Sequence, residues 1–223
     1  MIFIDIDGPS AVGKSSLIRS LQKDLPEAFP VDELLAQKSN PFCSWKTPED
    51  FLQKQLWFFD NTLRRYTDSV SASGPHALQL NDIGVIDVIV HTAVFPLANH
   101  LPWSVFPAFR EQVRCHYRDL PLAGLVLFLY ASEETLRFRK QQDHVRVRNS
   151  FDSNLRLYPL QKDFYFMLAE TFPRQVFCLD AERFPSVLAE NVKSVILKNR
   201  NAPPLRLYDI LDAAGPHLSS MAL

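Results

Sequence analysis

Eight residues near the amino end, Gly8-Pro9-Ser10-Ala11-Val12-Gly13-Lys14-Ser15, fit the pattern G-x-x-x-x-G-K-[ST]. Each residue type has a physical task in it. Glycines permit backbone angles that side chains forbid, so successive N–H groups can turn inward around an anion. A helix beginning at Lys14 would aim its positive end at the same point. The ligand expected is a nucleotide polyphosphate, held by Gly8, Ser10, Ala11, Val12, Gly13, Lys14, Ser15 and Ser16. Lys14 should reach the β- and γ-phosphates, and the Ser15 hydroxyl should ligate Mg²⁺. The alternative is a glycine turn beside an exposed lysine. By chance the pattern arises in roughly 1% of chains this long, and the strand before it and helix after it lower that figure further.

A second concentration of chemistry lies at Arg137, Arg139, Arg146 and Arg148, within "RFRKQQDHVRVR". Phosphoryl transfer spreads charge over the equatorial oxygens of the moving group, so catalysis is mainly placement plus cations. Arginine keeps its charge and grips phosphate through two N–H groups. A segment carrying four of them is suited to closing over phosphates and excluding water; a solvated basic helix end is the plainer alternative.

The elements that must position these groups alternate. Residues 2–7, 29–32, 77–82, 122–130 and 175–180 read as strands, and the spans between them as helices. Thr47-Pro48-Glu49-Asp50 opens a long helix with a cap, a proline at its first position and acids where the helix dipole favours them. Leu52, Leu56, Phe59, Leu63 and Tyr66 then form an apolar stripe. The third strand leads into an apolar helix ending about Val94, before Pro96. This predicts an α/β domain with a five-stranded parallel sheet, with the core domain at 1–198 and 199–223 as an appendage.

Composition narrows the function classes. Of 223 residues, 47% are hydrophobic and 22% charged, and the formal charge is −1. That fits a globular core and argues against a broad footprint for a nucleic acid polymer. The longest apolar run, "LAGLVLFLYA", is strand-sized, so no membrane span is expected. No basic leader precedes the first strand, and Cys43, Cys115 and Cys178 form no close pair; the expectation is a cytoplasmic protein with free thiols. His91, His100 and His116 lack metal-ligand spacing. The chain has no N-K-x-D and no D-x-x-G after the third strand, as guanine-nucleotide switches carry, and the strand "LVLFLY" ends in Tyr130 rather than in the acidic pair of a remodelling ATPase. What remains looks like a small-molecule kinase.

On the glycine loop, on "NDIGVIDVIVHT" (81–92) and on 130–148, the sequence resembles the nucleoside and nucleotide monophosphate kinases, the thymidylate kinase and deoxynucleoside kinase branch in particular. The resemblance implies a three-layer P-loop kinase fold with an arginine-rich lid at about 137–150. It implies ATP and Mg²⁺ as donor and metal, and a nucleoside or nucleoside monophosphate as the small-molecule acceptor. A homodimer is implied by the resemblance alone. Asp82, ending the third strand, is matched to the carboxylate that helps hold magnesium. Glu33, with Asp32 beside it, is matched to the acid near the acceptor hydroxyl. Gln55 and neighbouring aromatics are matched to the face that reads an acceptor base.

Other readings stay open beside these. Asp82 can equally cap the next helix, Glu33 can be a first-turn acid, and Asp7 can be an ordinary acid ending a strand or reach magnesium through water. Asp87 is expected to make a buried hydrogen bond. Phe42, Trp45, Phe51, Trp57 and Phe58 could sandwich a planar base or pack a core; Phe51, Gln55, Phe58 and Arg65 share one helical face. The family often carries arginine directly after the third-strand carboxylate, and this chain has Ile83. That departure keeps a non-nucleotide metabolite or an antibiotic in view as acceptor. A regulatory module that binds nucleotide with little turnover is the remaining alternative.

Overall fold

The computed structural model describes residues 2–31, 46–70, 78–117, 120–143 and 151–221. Five strands, β1 (Ile2–Asp7), β2 (Ala28–Val31), β3 (Leu78–Asp82), β4 (Leu125–Tyr130) and β5 (Val176–Asp180), form one sheet in the order β2-β3-β1-β4-β5. Every pairing is parallel. Asp5 lies opposite Asn81 and Ile6 opposite Asp82 on one side of β1, while Ile6 meets Leu127 on the other. Consecutive strands cannot turn back within a parallel sheet, so a helix must cross over between them.

The pleat sends alternate side chains to opposite faces. Helices α1 (Lys14–Asp24) and α7 (Pro185–Asn199) pack together on the face of Ile4 and Ile6. The other face carries α2 (Pro48–Val70), α3 (Val85–Ala98) and α6 (Phe151–Thr171). The fold class is therefore the three-layer α/β one expected, with an arginine-bearing helix α5 (Glu133–Gln142) beside the end of β5. Among the described residues, no helix is long and apolar enough to cross a membrane.

Helix starts follow the local chemistry. At α2 the Thr47 hydroxyl accepts from the Asp50 amide at 3.1 Å, and the Asp50 carboxylate accepts from the Thr47 amide at 3.1 Å. This reciprocal pair satisfies two amides that a helix end leaves without partners. The Lys46 amide, donating to the same carboxylate at 3.0 Å, together with the Thr47 hydrogen bonds holds the Asp50 carboxyl below its usual range. Ser132 caps α5 by accepting from the Thr135 amide at 3.2 Å.

The stretch 199–223, expected as an appendage, is described as far as Met221 and turns back onto the domain after α7. Leu205 exchanges backbone hydrogen bonds with Leu122 and Ala123. Helix α8 (Leu207–Met221) then buries Ile210, Leu211 and Ala214 completely, in contact with α3 and α6. Its Asp212 pairs with Arg110 and Arg114 of α4 (Phe106–His116).

Candidate phosphate-binding site

At its carboxyl end β1 runs into the glycine loop. Gly8 and Gly13 have φ of 138° and 110°, and Ala11 between them has φ 66°. Such alternation lines up amide groups around a concavity suited to an anion. A Cβ on Gly8 would stand 2.5 Å from the Leu129 carbonyl oxygen, so only glycine lets the loop lie against β4. From β1 the chain crosses to β2 and β3 on one side, and β3 then connects to β4 on the other side of β1; the carboxyl ends of strands at such a switch point form the natural crevice for a ligand.

Lys14 is the first residue of α1 and is buried. Its Nζ donates to the carbonyls of Gly8 at 2.8 Å and Pro9 at 3.2 Å, which folds the ammonium group over its own loop. A buried charge must be compensated, and these two carbonyls do so. Phosphate oxygens arriving in the concavity would meet a cation already in place.

Across from it, the Ser15 hydroxyl donates to Asp82 Oδ2 at 2.8 Å. Asp82 is only 5% exposed, and its Oδ1 is buried with no hydrogen-bond partner. A buried carboxylate oxygen left unsatisfied is costly unless something else fills the role. A hard divalent cation fits that need. Among the described residues no group of three His, Cys, Asp or Glu could hold a metal alone. An ion here would take its remaining ligands from phosphate and water, the habit of Mg²⁺.

Behind the loop, one face of the central strands is polar. Asp5 Oδ1 accepts from Asn81 Nδ2 at 2.7 Å and Oδ2 from the Tyr66 hydroxyl at 2.5 Å; Gln79 Nε2 donates to Asn81 Oδ1 at 2.6 Å. Asp7 Oδ1 accepts from the Gly84 amide at 2.8 Å and Oδ2 from the Tyr165 hydroxyl at 2.7 Å. The amino end of α3 is thus braced by both acids, since the Val85 amide also donates to Tyr66 at 3.2 Å. Burial pushes the Asp5 carboxyl up to about 7; the Asp7 charge adds to this, while the two hydrogen bonds and the Arg65 charge oppose it. Burial also raises Asp7, against the Gly84 amide, the Tyr165 hydroxyl and Lys14.

The remaining sequence-predicted residues fall in several places. Gln55 is buried and accepts from the Thr92 hydroxyl at 3.3 Å. Phe51 packs in the core against Phe95 and Trp103, with ring centroids 5.0 and 5.7 Å apart. Phe58 is half-buried, edge-on to Trp57. Asp87 accepts from Gln161 Nε2 at 2.6 Å. Arg137 is exposed, paired with Glu133 and Asp152. Arg139 donates to the Val12 carbonyl at 2.9 Å and the Ala181 carbonyl at 2.7 Å, tying the glycine loop to the turn after β5. Glu33, Asp32, Phe42, Cys43, Trp45, Arg146 and Arg148 lie outside the described residues. The structure thus brings Lys14, Ser15, Asp82 and Arg139 together around the loop and leaves Arg137 and Gln55 away from it.

Two features escaped the sequence reading. The acid Asp5 stands between Ile4 and Ile6 in a central strand, an available signal of a satisfied polar site. Arg65 is buried and donates to the carbonyls of Val31 at 3.1 Å, Asp82 at 3.2 Å and Ile83 at 3.2 Å. Ile83 stands where the resemblance calls for arginine, and a guanidinium reaches that turn from α2 instead.

No protein-family model matches the chain, and no curated protein matches it. Solved structures do. The chain is similar to deoxyadenosine kinase from M. mycoides with bound dCTP, at 16% identity and a TM-score of 0.66, over 88% of this chain and 100% of that one. The same enzyme with bound dATP gives 15% identity, a TM-score of 0.66 and the same coverage. Thymidylate kinase from Candida albicans gives 12% identity and a TM-score of 0.66, over 92% and 94% of the two chains. At these identities the likeness establishes architecture, and that architecture is the P-loop nucleoside and nucleotide kinase fold.

Proposed function

We propose that the protein is a P-loop kinase that moves the γ-phosphoryl group of ATP to a hydroxyl or phosphate of a small molecule. A nucleoside or nucleoside monophosphate is the preferred acceptor. The observation carrying this reading is the convergence at the loop: Lys14 Nζ at 2.8 Å from Gly8, and Ser15 bonded to an Asp82 whose second oxygen is buried and unmatched. The similar folds belong to enzymes crystallised with deoxynucleotides or acting on thymidylate, which favours a nucleoside-type acceptor.

In this reading the acceptor oxygen bonds to Pγ as the bond from Pγ to the β,γ-bridging oxygen breaks, releasing ADP. Lys14 neutralises the β- and γ-phosphate oxygens, and Ser15 and Asp82 are the residues that would hold Mg²⁺. The metal, when bound, screens phosphate charge and orients the chain of phosphates. Glu33 orients the nucleophile and takes up its proton. Arg139, already at the loop, joins Arg146 and Arg148 in offsetting charge on the transferring group, while Arg137, paired with Glu133 and Asp152, stands apart from it.

The test is transfer of labelled γ-phosphate from Mg·ATP to a panel of nucleosides, nucleoside monophosphates, antibiotics and other hydroxyl metabolites. A labelled nucleoside or nucleotide product supports the reading. A label confined to a non-nucleotide acceptor moves the assignment to the alternative that Ile83 keeps in view. Tight ATP binding with no transfer to any acceptor identifies a regulatory module instead.

A further inference from the structure

Directly after Asp82, Ile83 has φ of 71°. Left-handed backbone is unfavourable for any residue with a Cβ and most so for a β-branched one. Such a conformation persists only where the surroundings impose it, and it clusters at functional turns. The Ile83 amide still donates to the Ile6 carbonyl at 3.2 Å, continuing the ladder with β1. What the unusual φ accomplishes is to present two consecutive carbonyls, those of Asp82 and Ile83, to one guanidinium. That guanidinium belongs to Arg65 of α2, and its Nη2 also holds the Val31 carbonyl at the end of β2.

We infer that Arg65 is a positioning residue for phosphoryl transfer: by clamping the carboxyl ends of β2 and β3 it fixes the turn that aims Asp82 at Ser15 and at the metal. This rests on the kinase reading above. The physical argument has three parts. A buried arginine pays a desolvation cost that its three carbonyl partners offset, so the cluster forms as a unit or not at all. With β1 pairing the strand up to Asp82 and Arg65 holding the Asp82 and Ile83 carbonyls beyond its Cα, Asp82 has only its side-chain torsions left to vary, and the 2.8 Å bond to Ser15 restrains those. The Val31 carbonyl ends β2, so the same clamp ties the last residue of that strand to the turn after β3. Groups that orient a metal ligand from behind typically govern affinity by about 10- to 100-fold.

The experiment measures ATP affinity by calorimetry, with Mg²⁺ and with EDTA, for the parent, Arg65→Met and Arg65→Lys, each checked for folding by circular dichroism. The expected result is that the gain in affinity on adding Mg²⁺ shrinks by about 10- to 100-fold in Arg65→Met, recovers in part in Arg65→Lys, and that affinity in EDTA is unchanged. Loss of ATP affinity in EDTA as well would mark Arg65 as merely structural and overturn the inference, as would an unaltered magnesium gain. Should Arg65→Met fail to fold, Arg65→Lys decides. Its single ammonium group keeps the charge but lacks the two-pronged reach to all three carbonyls, and a magnesium gain equal to the parent's would overturn the inference. A parent showing no magnesium-dependent ATP binding refutes the kinase reading itself, a distinguishable outcome.

Discussion

Replacing Asp5 by asparagine should flatten part of the protein's pH dependence. Asp5 is wholly buried, and its carboxyl is pushed from 3.8 to about 7 by that burial, with the Asp7 charge adding. Between those values the folded state holds a proton that the unfolded chain has released. Stability contributed by this proton is complete below the unfolded value and is lost as pH rises through the folded one. Each pH unit in that window removes about 1.4 kcal/mol, so the parent should lose roughly 3 kcal/mol between pH 5 and 8 from this group. The asparagine cannot titrate. Its oxygen still accepts from Asn81, and its NH₂ faces the Tyr66 oxygen, so the exchange adds an offset that is the same at every pH. Urea unfolding of both proteins at pH 5, 6, 7 and 8 gives the difference directly. The variant should gain on the parent by roughly 3 kcal/mol across the range, about 6–12 °C in melting temperature. A difference that stays flat with pH would mean that Asp5 keeps one protonation state throughout, and the account of the buried acid would be wrong.

Lys14→Ala should lower phosphoryl transfer by roughly 100- to 1000-fold, because the β- and γ-phosphates lose their fixed cation; near-normal kcat would refute the donor assignment. Gly84→Ala should destabilise by about 3 kcal/mol or more, since its Cβ would stand 1.9 Å from Asp5 Oδ2, an atom that Tyr66 holds in place. A melting temperature unchanged within a degree would show that Asp5 can move. Leu211→Ala should cost about 2–5 kcal/mol in urea unfolding, because this fully buried side chain seats α8; a negligible loss would detach α8 from the cooperative unit.

The alternation of elements was legible because each boundary has a local cause. Gly13-Lys14, Thr47-Pro48 and Ser132-Glu133 mark helix starts by chemistry that acts over a few residues, and α1, α2 and α5 begin there. Pro96 misled: α3 was expected to end about Val94 and runs to Ala98. A proline in the last turn forfeits one hydrogen bond only, and Asn99 closes the end by donating from both its amide and its side chain to the Phe95 carbonyl. The stripe Leu207, Ile210, Leu211, Ala214 and Leu218 that seats α8 was present in the sequence at helical spacing. Its partners on α3, α4 and α6 are too distant along the chain for a local reading to supply. Arg65 failed for the same reason. It shares a helical face with Phe51, Gln55 and Phe58, and nothing nearby in sequence announces three carbonyls from two strands. The glycine loop was readable because ligand, backbone and helix end are all encoded within a dozen residues.

The hydrogen-bonded chain Tyr66–Asp5–Asn81–Gln79 gives the sheet an internal check on its own assembly. Oily side chains tolerate sliding, and a strand of leucine and isoleucine could dock one notch early or late at small penalty. Here a shift of β3 along β1 would carry Asn81 away from Asp5 and maroon an acid, two amides and a phenol in a waterless interior. Such misaligned forms are expelled by their own unmet bonding needs, so the alignment that survives is the one that sets the third strand's final carboxylate level with the first strand's loop.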